Sequence, residues 1–134
     1  MLGFETSAIC RAPAEELWAL LYDPTRFTDW WVGTTRIDMT PSGMSRVSPA
    51  YPDVGVPLGV HASGDRARVT ISCLASDVDW EWTLEPVDAG CRVILHVRIP
   101  EEQSELVECQ EIDMQTSLER LVALAEAGAE LHVP

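Results

Sequence analysis

Apolar residues recur with two different periods along this chain, and the points where one period gives way to the other mark its elements. Residues 3–10 read as a first strand, after which Pro13 stands at a first helical position, where its missing N–H costs nothing. Leu17, Leu20 and Leu21 fall on one face of the helix that Pro13 opens. "DPT" at 23–25 ends that helix, because a residue before proline is pushed out of the helical region. A second helical turn, "TRFTDWW", follows, and a period of two resumes in "TTRIDMT".

Between 40 and 65 the signal is dominated by Pro41, Pro49, Pro52 and Pro57, interspersed with Gly43, Gly55, Gly59 and Gly64. Strands are expected there near 44–48 and 57–62. Beyond Asp65, Ala67, Val69, Ile71, Cys73 and Ala75 alternate as a half-buried strand, and Val78, Trp80, Trp82 and Leu84 take one face of the next. "VDAG" supplies a turn, and Cys91, Val93, Leu95, Val97 and Ile99 form the apolar face of a partner strand. Keeping those apolar faces together sets Asp79, Glu81 and Glu85 opposite Arg92, His96 and Arg98.

From about Glu101 the period becomes 3.6 and holds for some 25 residues, with Val107, Met114, Leu118, Leu121, Val122 and Ala125 in one stripe. Gly128 is expected to end this helix. Gln110 and Glu111 fall on the margins of the stripe in its first half only, so the inner face is semi-polar at its start and apolar at its end. Strand, two short helices, a run of antiparallel strands and one long amphipathic helix predict an α+β layer in which a curved sheet wraps the helix.

The 134 residues fit a single domain spanning 1–134. Composition narrows the partners further: 22 acidic against 9 basic side chains give a formal net charge of −13, a field that repels phosphate backbones and anionic lipid. Nucleic acid is therefore not an expected partner. All nine basic residues are arginine, which excludes a Schiff-base lysine or a phosphate-loop lysine. No apolar run approaches the roughly 18 residues that span a bilayer, and no signal peptide opens the chain, so a soluble cytoplasmic protein without stable membrane insertion is expected. Cys10, Cys73, Cys91 and Cys109 show no CxxC spacing and read as reduced thiols. His61, His96 and His132 have no metal-ligand spacing, and neither a phosphate loop nor a GxSxG elbow is present, so no metal and no cofactor is expected.

"APAEELWALLYDPTRFTDWW", then "WEWTLEPVDAGCRVILHV", then "LERLVALAEAG" in that order resemble the START-related, Bet v 1-like superfamily, within it the polyketide cyclase/dehydrase and lipid-transport families. The resemblance implies a helix-grip fold: about seven antiparallel strands curved around the C-terminal helix, two short helices forming a V, and often a cavity for a hydrophobic ligand. The chain departs from the pattern at 40–65, where prolines shorten or obscure the usual long hairpins.

Within that frame Trp80 and Trp82 are candidates for either core filler or pocket wall, facing Met114 and Leu118. Adjacent residues on a helical turn point about 100° apart, which predicts different environments for Trp30 and Trp31: core for the first, cavity mouth for the second. Glu111 is the candidate general acid or base if its carboxyl enters the cavity, and a solvent-facing residue at the stripe edge otherwise. Tyr51 and His61 are candidates for polar groups at the mouth. Three functions follow: binding an aromatic or polycyclic hydrophobic molecule; a cofactor-free polyketide cyclase, aromatase or dehydratase in the same cavity; or an interaction module with a filled core whose acidic surface meets a basic partner.

Overall fold

The computed structural model describes residues 2–131. Its seven strands are β1 (Leu2–Cys10), β2 (Arg36–Thr40), β3 (Gly43–Ser48), β4 (Tyr51–Ala62), β5 (Arg68–Cys73), β6 (Asp79–Val87) and β7 (Gly90–Ile99). They form one antiparallel sheet in the order β1-β7-β6-β5-β4-β3-β2. Helices α1 (Ala14–Leu21) and α2 (Phe27–Trp30) follow β1, and α3 (Leu106–Leu131) closes the chain. This is the helix-grip arrangement. Pro13 caps α1, and Pro24 opens a 3-10 turn whose Asp23 carboxylate accepts a 3.0 Å hydrogen bond from Thr25 N.

The β6–β7 ladder pairs Asp79 with Arg98, Glu81 with His96 and Glu85 with Arg92, the register that its apolar alternation demands. On the other face Val69, Ile71, Trp80, Trp82, Leu84, Val93, Leu95 and Val97 are buried under the helices. Helix α3 lies chiefly over β1 and against the V of α1 and α2. Met114, Leu118, Leu121 and Ala125 are its buried stripe.

The long hairpin expected of the family and obscured by prolines is present. Strand β4 runs for 12 residues, through both Pro52 and Pro57. Residues 51–57 of β4 pair only with β3, so their other side lies beyond the end of β5. Pro57 O accepts from Leu74 N, and the nitrogen of a strand residue points to the same side as its carbonyl. The proline therefore costs no bond to β3 and forgoes only the reciprocal bond to Leu74, at the point where the β4–β5 ladder ends.

Gly128 does not end the last helix, which continues to Leu131. A Cβ at Gly128 would stand 2.8 Å from Glu16 Oε2, so this glycine marks a close approach to α1 rather than a cap. His132 lies outside the described residues.

Candidate functional site

The interior is built around five aromatic rings. Helix α2 ends at Trp30, and Trp31 already has extended backbone, φ −84° and ψ 106°. That change of conformation overturns the helical-wheel expectation: the rings of Trp30 and Trp31 stack at 5.9 Å with 10° between planes, and both are buried. Phe27 meets both rings edge-on, at 5.5 and 5.8 Å. Trp30 packs edge-on against Trp82 at 5.2 Å, and Trp31 against Trp80 at 5.0 Å. Such aromatic pairs add about 0.5–1.5 kcal/mol each beyond the area they bury.

Trp30, Trp31, Trp80, Trp82, Met114 and Leu118 therefore share one environment, and each is at most 4% exposed. A void wide enough for a ligand would leave accessible surface on its walls, so the space between these tryptophans and α3 is filled. Hydrogen bonding differs around the rings. Trp30 Nε1 donates to Leu20 O at 2.9 Å and Trp80 Nε1 to Gln110 Oε1 at 3.0 Å, whereas Trp82 Nε1 is a buried donor without a partner among the described residues.

The first half of α3 is semi-polar toward the interior, through Gln110, Asp113 and Ser117. Buried Ser117 donates through Oγ to Asp113 O at 2.8 Å and accepts from Val32 N at 3.0 Å, which fastens the segment after Trp31 to the helix. Glu111 faces solvent one step around the wheel, in a groove with β1. Tyr51 is 67% exposed at the start of β4, and His61 is exposed on the convex face, paired across the sheet with Thr70. Tyr51, His61 and Glu111 are not brought together.

Sequence reading missed Arg46, which stands on the concave face. In register it lies between Ile37 of β2 and Val56 of β4, with Met44 two residues away on the same face. Its guanidinium lies 4.3 Å from the ring centre of Trp31, and it donates to Thr34 Oγ1 at 2.7 Å and Val32 O at 3.2 Å. Burial lowers its pKa from the usual arginine value, opposed by the nearby Cys73 and Asp113. Among the described residues no carboxylate stands within ion-pairing distance of it. Around it Ile37, Met44 and Val56 are partly buried and Met39 is 64% exposed, so the β2–β4 part of the concave face forms an open apolar shelf. The clue was the pairing of Arg46 with Met44 at a spacing of two.

Among the described residues no group of His, Cys, Asp and Glu is arranged to hold a metal ion, and no helix is long and apolar enough to cross a membrane.

The fold is similar to that of solved proteins along nearly its whole length. Protein NE0264 from Nitrosomonas europaea matches with a TM-score of 0.73 at 14% identity, covering 95% of this chain and 96% of that one. Protein CV1439 from Chromobacterium violaceum matches with a TM-score of 0.68 at 21% identity, covering 92% and 97%. The di-domain ARO/CYC StfQ of the steffimycin biosynthetic pathway matches with a TM-score of 0.72 at 12% identity; 96% of this chain spans 51% of that one. No curated protein sequence matches. The family model for polyketide cyclase / dehydrase and lipid transport matches residues 1–126, and the chain belongs to that family.

Proposed function

We propose that this protein binds an aromatic or polycyclic hydrophobic small molecule on the β2–β4 shelf, with Arg46 holding an acidic or carbonyl oxygen of the ligand. One observation carries the reading: a largely buried guanidinium, unpaired by any described carboxylate, set in an apolar face over Trp31. Keeping a cation out of water without a carboxylate at ion-pairing distance is costly, Asp113 offsets this only from further away, and a ligand oxygen supplies the close partner. Ile37, Met44 and Val56 offer the apolar surface, and Trp31 with Trp80 stands behind the guanidinium. The family and its solved neighbours support the same class of role. Tryptophan-fluorescence titration with anthraquinone-2-carboxylate and its neutral carboxamide tests it. The carboxylate is expected to bind at least roughly tenfold tighter, with the preference lost in Arg46→Met. Absence of saturable quenching by either compound refutes the reading.

A second reading, a cofactor-free cyclase or dehydratase, is favoured by the fold shared with the ARO/CYC StfQ and by the acid beside Arg46. Arg46 would stabilise the enolate formed on a poly-β-keto chain while Asp113 takes the α-proton. The enolate carbon attacks a second carbonyl of the chain, the resulting alkoxide takes a proton, and loss of water gives the ring double bond. Asp113 replaces Glu111 in this role because Glu111 faces solvent on the β1 side. Turnover of a model polyketide should fall in Asp113→Asn and persist in Glu111→Gln; the reverse pattern refutes this assignment.

A further inference from the structure

The two edges of the sheet are guarded unequally. Strand β2 is short, five residues, and carries Arg36 and Asp38 paired at 2.9 Å. Strand β1 runs for nine residues with no proline and no basic side chain. It pairs with β7 along its full length, and on its outer side no backbone group of Leu2–Cys10 has a partner among the described residues. A long edge strand with unpaired backbone groups is a template for another strand.

Hollows flank that edge on both faces. On the concave side Phe4, Thr6, Ile112 and Thr116 line a groove of about 610 Å³ with Glu111 on its wall and Ile112 61% exposed, while Glu5 at its edge is opposite His96 on the convex face. On the convex side Ser7, Ile9 and Ile94 line another of about 550 Å³. Side chains of an added strand alternate between faces, so each finds room. The concave side is acidic, Glu105 and Glu108 continuing the charge of Glu111 around Ile112, while on the other face Arg92 and Arg98 are ion-paired with Glu85 and Asp79. A second copy of this chain brings another −13 to the same place, so like charges oppose self-pairing.

We propose that the outer edge of β1, with the grooves on either side, takes up a basic extended segment of a partner protein as an eighth strand. Main-chain hydrogen bonds supply affinity, Phe4 and Ile112 receive apolar side chains on one face, and Glu5 selects lysine or arginine on the other, with Glu111 adding to the acidic field. This surface is separate from the Arg46 shelf, so it stands whether or not that shelf binds a ligand.

The test is fluorescence anisotropy with a labelled peptide of alternating lysine and valine, about nine residues long to match β1. Its controls are a glutamate-for-lysine analogue and two analogues N-methylated on alternate amides, one set for each side of the strand. The basic peptide should bind one to one, at least about tenfold more weakly at 500 mM than at 50 mM salt. One methylated set should abolish binding and the other preserve it, because an added strand turns only alternate amides toward β1. Glu5→Gln with Glu111→Gln should weaken binding roughly threefold to tenfold, and the peptide should slow amide exchange in residues 2–10. Equal binding of both methylated sets would reduce the effect to charge alone and overturn the proposal. So would tight binding of the glutamate analogue, or sedimentation of the free protein as a dimer that excludes the peptide.

Discussion

Replacing Arg46 with methionine separates what this residue does for the fold from what it does for a ligand. The fold loses a guanidinium 4.3 Å from the Trp31 ring centre, a contact worth about 0.5–2 kcal/mol. It also loses hydrogen bonds to Thr34 and Val32 of 2.7 and 3.2 Å, worth roughly 3–5 kcal/mol together for a charged donor. Opposing these is the cost of several kcal/mol for holding an unpaired cation away from water, which methionine removes while keeping most of the stem's volume. The terms are similar in size and opposite in sign, so stability should change by no more than about 1 kcal/mol. Urea unfolding followed by tryptophan emission reads this as a small midpoint shift at constant m. Affinity for an aromatic carboxylate should meanwhile fall about 10- to 150-fold, the equivalent of one charge-assisted contact. A stability loss above about 2 kcal/mol with unchanged carboxylate affinity would refute the reasoning, because the guanidinium would then be a structural tie.

Gly90→Ala should destabilise by about 3 kcal/mol or more, since φ here is +147° and a Cβ would collide with Cys10 O and stand 2.8 Å from Ala12 O; thermal unfolding checks it. Trp80→Phe should cost about 1–2 kcal/mol more than Trp82→Phe in urea, because only the first breaks an indole hydrogen bond while the second removes an orphan donor. Ser117→Ala should cost about 1–3 kcal/mol by leaving Val32 N–H unpaired, and calorimetry should show it as a lower Tm. Burial raises the Cys10 and Cys91 thiols above their usual value of 9.0. The unfolded chain therefore releases these protons first, and stability should fall as pH rises past about 9. In Cys10→Ala with Cys91→Ala that alkaline slope should flatten.

Much of the fold was legible because its longest elements obey a single period. The β6–β7 register follows from alternation alone, and the α3 stripe from Met114 to Ala125 follows from a period of 3.6. What failed to show were features that depend on neighbours distant in sequence. Pro57 is tolerated because its nitrogen faces away from β3 and forgoes only the last bond on the β5 side, to Leu74, which local composition does not encode. Trp31 leaves the helical conformation one residue earlier than a wheel assumes. Arg46 was invisible for a similar reason: in "GMSRVS" Val47 is also buried, so both faces of β3 carry apolar residues. Only pairing with Ile37 and Val56 decides which face is concave.

The segment from Trp31 to Thr35 joins the filled core to the open shelf. Val32 N is held by Ser117 of α3, Thr35 N donates to Val47 O at 2.8 Å, and Arg46 reaches back to Thr34 Oγ1 and Val32 O. A ligand oxygen that draws the guanidinium toward the shelf must loosen its bonds to Val32 and Thr34 and uncover the face of Trp31. Trp31 in turn touches Trp30, Phe27 and Trp80, so the disturbance enters the aromatic cluster directly. Occupancy of the shelf should therefore change tryptophan emission even for ligands that do not absorb. A saturated aliphatic carboxylate tests this: it quenches nothing by itself, so any emission change it produces reports displacement of Arg46, and that change should vanish in Arg46→Met.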